Sequence, residues 1–219
     1  MRIENNQLRP QYLLYKEEYL KKVEEVLDSG WYVLGKEVAA FEKEFAEYNN
    51  ISYCVGVASG LDALVLAFEA LHLNPGDEVI IPNPMYNIYR IIGEICGATV
   101  KEYKLKEENG FQIDLKEMES LITDKTKMIV ICSPSNPIGS VLTDENLEGL
   151  GELVKDKDLI ICSDEMYERL TYDGVQASSP AKFDTMRDKT IIINGFSKAF
   201  AMTGWRIGYV ITPEEWFEP

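Results

Sequence analysis

Residues 128–139 read Met128-Ile-Val-Ile-Cys-Ser-Pro-Ser-Asn-Pro-Ile-Gly139, an apolar and largely β-branched run that stops abruptly at a polar loop punctuated by proline and glycine. The run does not alternate between apolar and polar residues, so it suits a strand covered on both faces, as in a parallel sheet. The same pattern recurs along the chain. Leu159-Ile-Ile-Cys162 runs into Ser163-Asp164-Glu165-Met166-Tyr167, Thr190-Ile-Ile-Ile193 into Asn194-Gly195-Phe196-Ser197-Lys198, and Tyr53-Cys-Val-Gly-Val-Ala58 into Ser59-Gly60 and directly on to a helical pattern. Further runs lie at 78–81, 99–103 and 207–211, with helical spacing between runs at 61–71, 86–96, 115–121 and 144–154. Short apolar runs alternating with helices predict an α/β fold, a mostly parallel, doubly wound sheet with helices on both faces.

Upstream, the period changes. Leu13, Leu14, Tyr19, Leu20, Val23, Val26 and Leu27 recur at helical spacing over 11–29, and Gly30 follows as a C-cap. A second amphipathic helix is predicted over 36–48, with Val38, Phe41 and Phe45 on one face. Residues 1–49 therefore read as an N-terminal helical arm or part of a smaller domain, and residues 50–219 as the large domain. No internal repeat or low-complexity tract divides them.

Composition narrows the chemistry. Among 219 residues, 22 Lys and Arg face 37 Asp and Glu, a formal charge of −15 with the basic residues unclustered, which argues against nucleic acid as a partner. His72 is the single histidine, so His-rich metal sites and His-activated nucleophiles are not default mechanisms; at the end of a helical pattern it reads as a helix-terminal residue. Cys54, Cys96, Cys132 and Cys162 form no C-x-x-C pair, and three of them sit in apolar runs, as buried free thiols do in a reducing compartment. The first ten residues contain no apolar signal core and no stretch approaches the ~18 apolar residues of a membrane span, so a cytoplasmic protein is expected, with no metal and no membrane partner.

Ligands of open parallel sheets bind beyond the carboxyl ends of the strands. Four such ends carry Ser59 with Gly60, Asn136, Asp164 with Tyr167, and Ser197 with Lys198. Ser59-Gly60 opening a helix offers N–H donors and a dipole end to an anion, or is simply a strand-to-helix turn. Ser197 and Arg206 could add a hydroxyl and a guanidinium fork to the same anion. Asp164 is a carboxylate for a cation or, read alone, a helix N-cap. Lys198, beside a cationic neighbour and out of water, would become a nucleophile towards carbonyls. A phosphate cradle, a carboxylate and a reactive lysine are the protein-side needs of pyridoxal phosphate.

From about Pro84 to Tyr209 the chain resembles the class I/II aminotransferases, pyridoxal-phosphate enzymes of fold type I. The matching motifs are Ser135-Asn136-Pro137-x-Gly139, Asp164-Glu165-x-Tyr167 and Ser197-Lys198-Ala-Phe-Ala-Met-x-Gly204-Trp205-Arg206-x-Gly208-Tyr209. The resemblance implies that Lys198 forms the Schiff base with the cofactor and moves the substrate proton. It implies that Asp164 pairs with the pyridine nitrogen, that Tyr167 and Asn136 bond the ring oxygen, and that Ser197, Arg206 and the Ser59–Gly60 amides hold the phosphate. Tyr86 matches the aromatic residue that stacks on the ring, although its spacing from Tyr89 also fits plain helix packing. The first eighty residues are similar to DegT-type nucleotide-sugar aminotransferases at Ser29–Gly35, Phe41-Glu42, Val57–Leu64 and Pro75–Ile80, but Leu61 stands where that pattern has threonine, and the lysine segment is the class I/II version. Trp31 and Tyr32 read as packing residues rather than substrate contacts, although the resemblance to the sugar enzymes places them near the mouth of the site.

The implied activity is transfer of an amino group between an amino acid and a 2-oxo acid, or a keto-sugar, through a lysine aldimine. A β-lyase or decarboxylase of the same fold, or a non-catalytic cofactor-binding fragment, are the alternatives. The resemblance further implies a homodimer, a small-molecule amino donor and oxo acceptor, and a C-terminal small domain, expected to be absent, that carries a carboxylate-binding arginine to which no residue here corresponds.

Overall fold

The computed structural model describes residues 8–48 and 53–213. The expected domain boundary near Asn50, the first seven residues and residues 214–219 fall outside them.

Seven strands form one sheet: β1 (Tyr53–Val57), β2 (Glu78–Asn83), β3 (Thr99–Lys104), β4 (Thr126–Cys132), β5 (Ile160–Asp164), β6 (Thr190–Gly195) and β7 (Gly208–Thr212), in the order β1-β7-β6-β5-β4-β2-β3. Strands β3, β2, β4, β5 and β6 are mutually parallel, and β7 runs antiparallel between β6 and β1. The apolar runs are continuous because both faces are covered. Along β4, Met128, Val130 and Cys132 pack with Leu64, Phe68, Tyr89 and Ile92 of α4 (Gly60–Glu69) and α5 (Ile88–Ile95). Ile129 and Ile131 point the other way, onto Met118 of α6 (Leu115–Leu121) and Leu147, Leu150 and Val154 of α7 (Asp144–Val154). Both isoleucines are sealed from water, at 0 and 1 % exposure, each worth about 1.5–3 kcal/mol of burial.

Helices α6 and α7 begin where side chains can cap them. Asp114 accepts from the N–H groups of Lys116 and Glu117, and Thr143 Oγ1 from that of Asn146.

The amino-terminal segment is α1 (Leu8–Leu14), α2 (Lys16–Ser29) and α3 (Lys36–Tyr48). The single helix expected over 11–29 is split at Tyr15, whose backbone leaves helical geometry at φ −115°, ψ 19°. Gly30 closes α2 as expected, in the left-handed region at φ 64° with its N–H on Leu27 O. Phe41 and Phe45 of α3 pack on Tyr209 and Phe196, beside the buried Ala46, Cys54 and Ile211. Glu42 Oε1 accepts the Gly56 N–H at 2.9 Å, satisfying a donor of β1 at the sheet edge. Cys54, Cys132 and Cys162 are buried thiols. Among the described residues no helix is long and apolar enough to cross a membrane.

Candidate active site

The parallel strands deliver their polar carboxyl-terminal loops to one edge of the sheet, where a cleft of ≈ 240 Å³ opens. All nine residues singled out in the sequence line it. Ser59 and Gly60 follow β1, Tyr86 follows β2, Asn136 follows β4, Asp164 and Tyr167 end and follow β5, and Ser197, Lys198 and Arg206 lie between β6 and β7.

One end is buried. Asp164 closes β5 at 8 % exposure; its Oδ2 accepts the Tyr89 hydroxyl at 2.6 Å and its Oδ1 the Met166 N–H at 3.1 Å. Residues 166–169 form a turn, so Asp164 makes an Asx-type turn and caps no helix. Burial pushes the Asp164 carboxyl above its ordinary value, while the Tyr89 hydroxyl and the Met166 N–H pull it back. Among the described residues Asp164 has no cationic partner, and a buried carboxylate facing a cleft calls for one. Asn136 Nδ2 donates to Tyr167 Oη at 3.5 Å, a long contact that ties two loops together. Tyr86 precedes α5 and stands half-exposed over this end, its ring 6.1 Å from that of Tyr89 and set at 89° to it.

The other end is open and shaped by backbone. Ser59, extended at φ −167°, caps α4: its Oγ accepts the Asp62 N–H at 3.2 Å and donates to Asp62 Oδ2 at 2.7 Å. The helix start presents the N–H groups of Gly60 and Leu61. A Cβ on Gly208 would come within 2.5 Å of Ser59 C and 2.6 Å of Gly60 N, so only glycine lets β7 pass against this turn. The Ser197–Phe200 turn is held by Thr203 Oγ1 on Ser197 O at 3.1 Å and by Met202 N–H on Phe196 O at 3.2 Å. Lys198 is exposed, not withdrawn from water by the described chain, and its Nζ lies 5.9 Å from the centroid of the Tyr167 ring. Arg206 adopts φ 55°, a left-handed conformation that side chains avoid, with Nη1 on Thr203 O.

Met166, Thr203, Leu61 and Leu64 also line the cleft. Of these, Thr203 and Met166 sit inside the quoted motifs but were not singled out. In the sequence Tyr89 shows only a three-residue spacing from Tyr86, which fits a helix face, and its acceptor lies 75 positions away. His72, at φ 46° with its N–H on Glu69 O, ends the α4 region as expected. Trp31 and Tyr32 are exposed, which does not fit a packing role among the described residues.

The site tests well against a phosphorylated pyridine aldehyde. A buried carboxylate without a counter-cation suits a pyridinium, the α4 start with Ser197 and Arg206 suits a phosphate, and the exposed Lys198 amine suits an aldehyde.

Comparison with known proteins bears on the same residues. Residues 31–218 match the family "Aminotransferase class I and II". The aspartate aminotransferase of Pyrococcus abyssi is 37 % identical over 214 residues, covering 93 % of this chain and 54 % of the relative. The putative aminotransferase YugH of Bacillus subtilis is 38 % identical over 191 residues, covering 85 % of this chain and 48 % of the relative. Among solved structures, the aromatic aminotransferase from Pyrococcus horikoshii superposes with a TM-score of 0.79 at 34 % identity, over 91 % of this chain and 56 % of that one. The chain thus spans about half the length of the curated relatives it matches. The family match runs through Trp31–Gly35, Val57–Leu64 and Pro75–Ile80, so one family accounts for the amino-terminal segments as well as for the rest of the matched chain. The chain belongs to the class I and II aminotransferases, pyridoxal-phosphate-dependent enzymes of fold type I.

Proposed function

We propose that this chain is the cofactor-binding large domain of an aminotransferase that moves an amino group between an amino acid and a 2-oxo acid, with residues 1–49 forming an arm or part of a smaller domain. The observation that carries the reading is the convergence of Lys198, Asp164 and the Ser59–Gly60 helix start on one cleft. Bound pyridoxal phosphate supplies an aldehyde for amino exchange and an electron sink.

The residues divide the work by position. Lys198 Nζ anchors the cofactor and, once released, takes up and returns the substrate proton. Asp164 holds the positive ring nitrogen in a site from which water is largely excluded, where an ion pair is stronger than at the surface. Tyr167 and Asn136, already in contact, donate to the ring oxygen. Ser197, Arg206 and the Gly60 and Leu61 N–H groups bind the phosphate, and Tyr86 covers the ring. Relatives named for aspartate and for aromatic amino acids support an amino-acid donor. The buried thiols support a reducing, cytoplasmic setting, and the family supports a homodimer.

The test is chemical. Pyridoxal phosphate is added, the lysine adduct is reduced with borohydride and the modified peptide is mapped. Label on Lys198 is expected; label elsewhere would sink the assignment. A screen of amino acids against 2-oxo acids, following amino transfer to the acceptor, then separates transamination from lyase or decarboxylase chemistry.

A further inference from the structure

Tyr89 contacts Asp164 from a separate element of the fold and has no task in the proposed function. It sits in the first turn of α5 at 0 % exposure, and its hydroxyl donates to Asp164 Oδ2 at 2.6 Å. With Met166 N–H on Oδ1 at 3.1 Å, donors from two separate elements grip both oxygens and fix the plane of the carboxylate. Phenylalanine would fill the same space, so the hydroxyl adds this bond and a contact with the Cys132 thiol, which burial keeps uncharged. The edge-on contact between the Tyr89 and Tyr86 rings also couples that anchorage to the aromatic residue over the cleft.

We propose that Tyr89 is a positioning residue for Asp164: its hydroxyl hydrogen-bonds the carboxylate and keeps it turned to the cleft, and so sets how firmly a ring cation is held there. The identity of that cation rests on the function proposed above; the hydrogen bond does not.

The ionisable groups facing Asp164 are few. Tyr89 comes from α5, Cys132 from the end of β4, Cys162 from β5, and Glu165 and Tyr167 from the loop beyond it. Burial pushes both cysteine thiols up, so neither supplies a charge. The folded-state value of Asp164 already lies above its ordinary one, which means ionising it in place works against folding as pH rises. Removing the hydroxyl raises that value further. Tyr89→Phe is therefore harmful where Asp164 is ionised and nearly harmless where it is protonated.

The experiment compares thermal midpoints of the cofactor-free wild type and Tyr89→Phe from about pH 4 to about pH 8. The gap is expected to widen by several degrees towards pH 8, and to stay flat when Asp164→Asn is present in both. A gap equal at all pH values means space-filling alone and overturns the proposal. If Tyr89→Phe does not fold, the double variant with Asp164→Asn should, because the neutral amide no longer needs the hydroxyl; failure to fold overturns the proposal too. In a second arm, pyridoxal phosphate should bind Tyr89→Phe roughly tenfold more weakly, the worth of one hydrogen bond to a charged group. Unchanged affinity also overturns it. Borohydride label away from Lys198, by contrast, sinks the functional reading while the pH-dependent gap stands.

Discussion

The two ends of the cleft are built on opposite plans. At the Asp164 end the polar group is at 8 % exposure and gripped by a phenol and an N–H, with the apolar cluster under α4 and α5 around it. At the Lys198 end the long side chains of Lys198 and Arg206 stand in solvent, and what is fixed is the backbone: a glycine contact at Gly208 and a left-handed residue at Arg206. Burial orients a charge at the expense of desolvating it, whereas a shaped backbone leaves side chains free to close on an anion when it arrives. Substitutions at the two ends should accordingly separate stability from activity in different ways.

The largest separation is expected at Lys198. It is exposed and donates no hydrogen bond among those described, so Lys198→Ala should leave the thermal midpoint almost unchanged. Amino transfer should fall by about a hundredfold to ten-thousandfold, the usual worth of a positioned proton-transfer group. A variant that unfolds would break the comparison, since it would make the open end structural.

Gly208→Ala attacks the backbone of the same end. The added methyl meets Ser59 C and Gly60 N, atoms that no rotamer change can move. A loss of about 3 kcal/mol, the upper part of the range for overpacking, is expected in denaturant titration. Loss of phosphate binding should accompany it. Normal stability in this variant would mean that the α4 start is not pinned by β7.

How far the cleft could be read from sequence follows the same division. Strand ends and their loops were legible because a continuous β-branched run that meets Ser-Pro-Ser-Asn-Pro or Ser-Asp-Glu is a local signal, and α6 and α7 match their expected bounds because Asp114 and Thr143 cap them locally. The direction of β7 was not legible. A five-residue run buried on both faces looks the same in either sense, and only pairing with β6 and β1 fixes it antiparallel. Nor was the Tyr89–Asp164 bond, because a contact across 75 residues is set by sheet order and leaves no period. The break at Tyr15 escaped because apolar spacing continues through it.

Glu165 sharpens the buried end. It lies beside Asp164 at 7 % exposure, accepts the Ser163 hydroxyl at 3.0 Å, and burial pushes its carboxyl up to about 7. Because the folded value lies above the unfolded one, this group favours folding most below about 4.5, and its contribution is lost as pH rises through about 7. Glu165→Gln keeps an acceptor for Ser163 without the charge. It should therefore raise stability by about 1–3 kcal/mol at pH 8 and by little at pH 4, read as a flattened pH–stability curve.

The smallest loss of binding, with a change in stability that is also small, is expected at Arg206. Its left-handed backbone, φ 55°, strains any residue with a Cβ by about 1–2 kcal/mol. Glycine relieves that strain but frees the unfolded chain by about 0.5–1 kcal/mol. Arg206→Gly, although it deletes a long side chain and its bond to Thr203 O, should therefore change stability by no more than about 1 kcal/mol, on the favourable side. Affinity for pyridoxal phosphate should drop about tenfold or more with the guanidinium gone. A residue that is neutral or worse for folding and needed for binding is what a site retains for its ligand. Equal losses of stability and affinity would instead mean that the open end, like the buried one, is held together by its side chains.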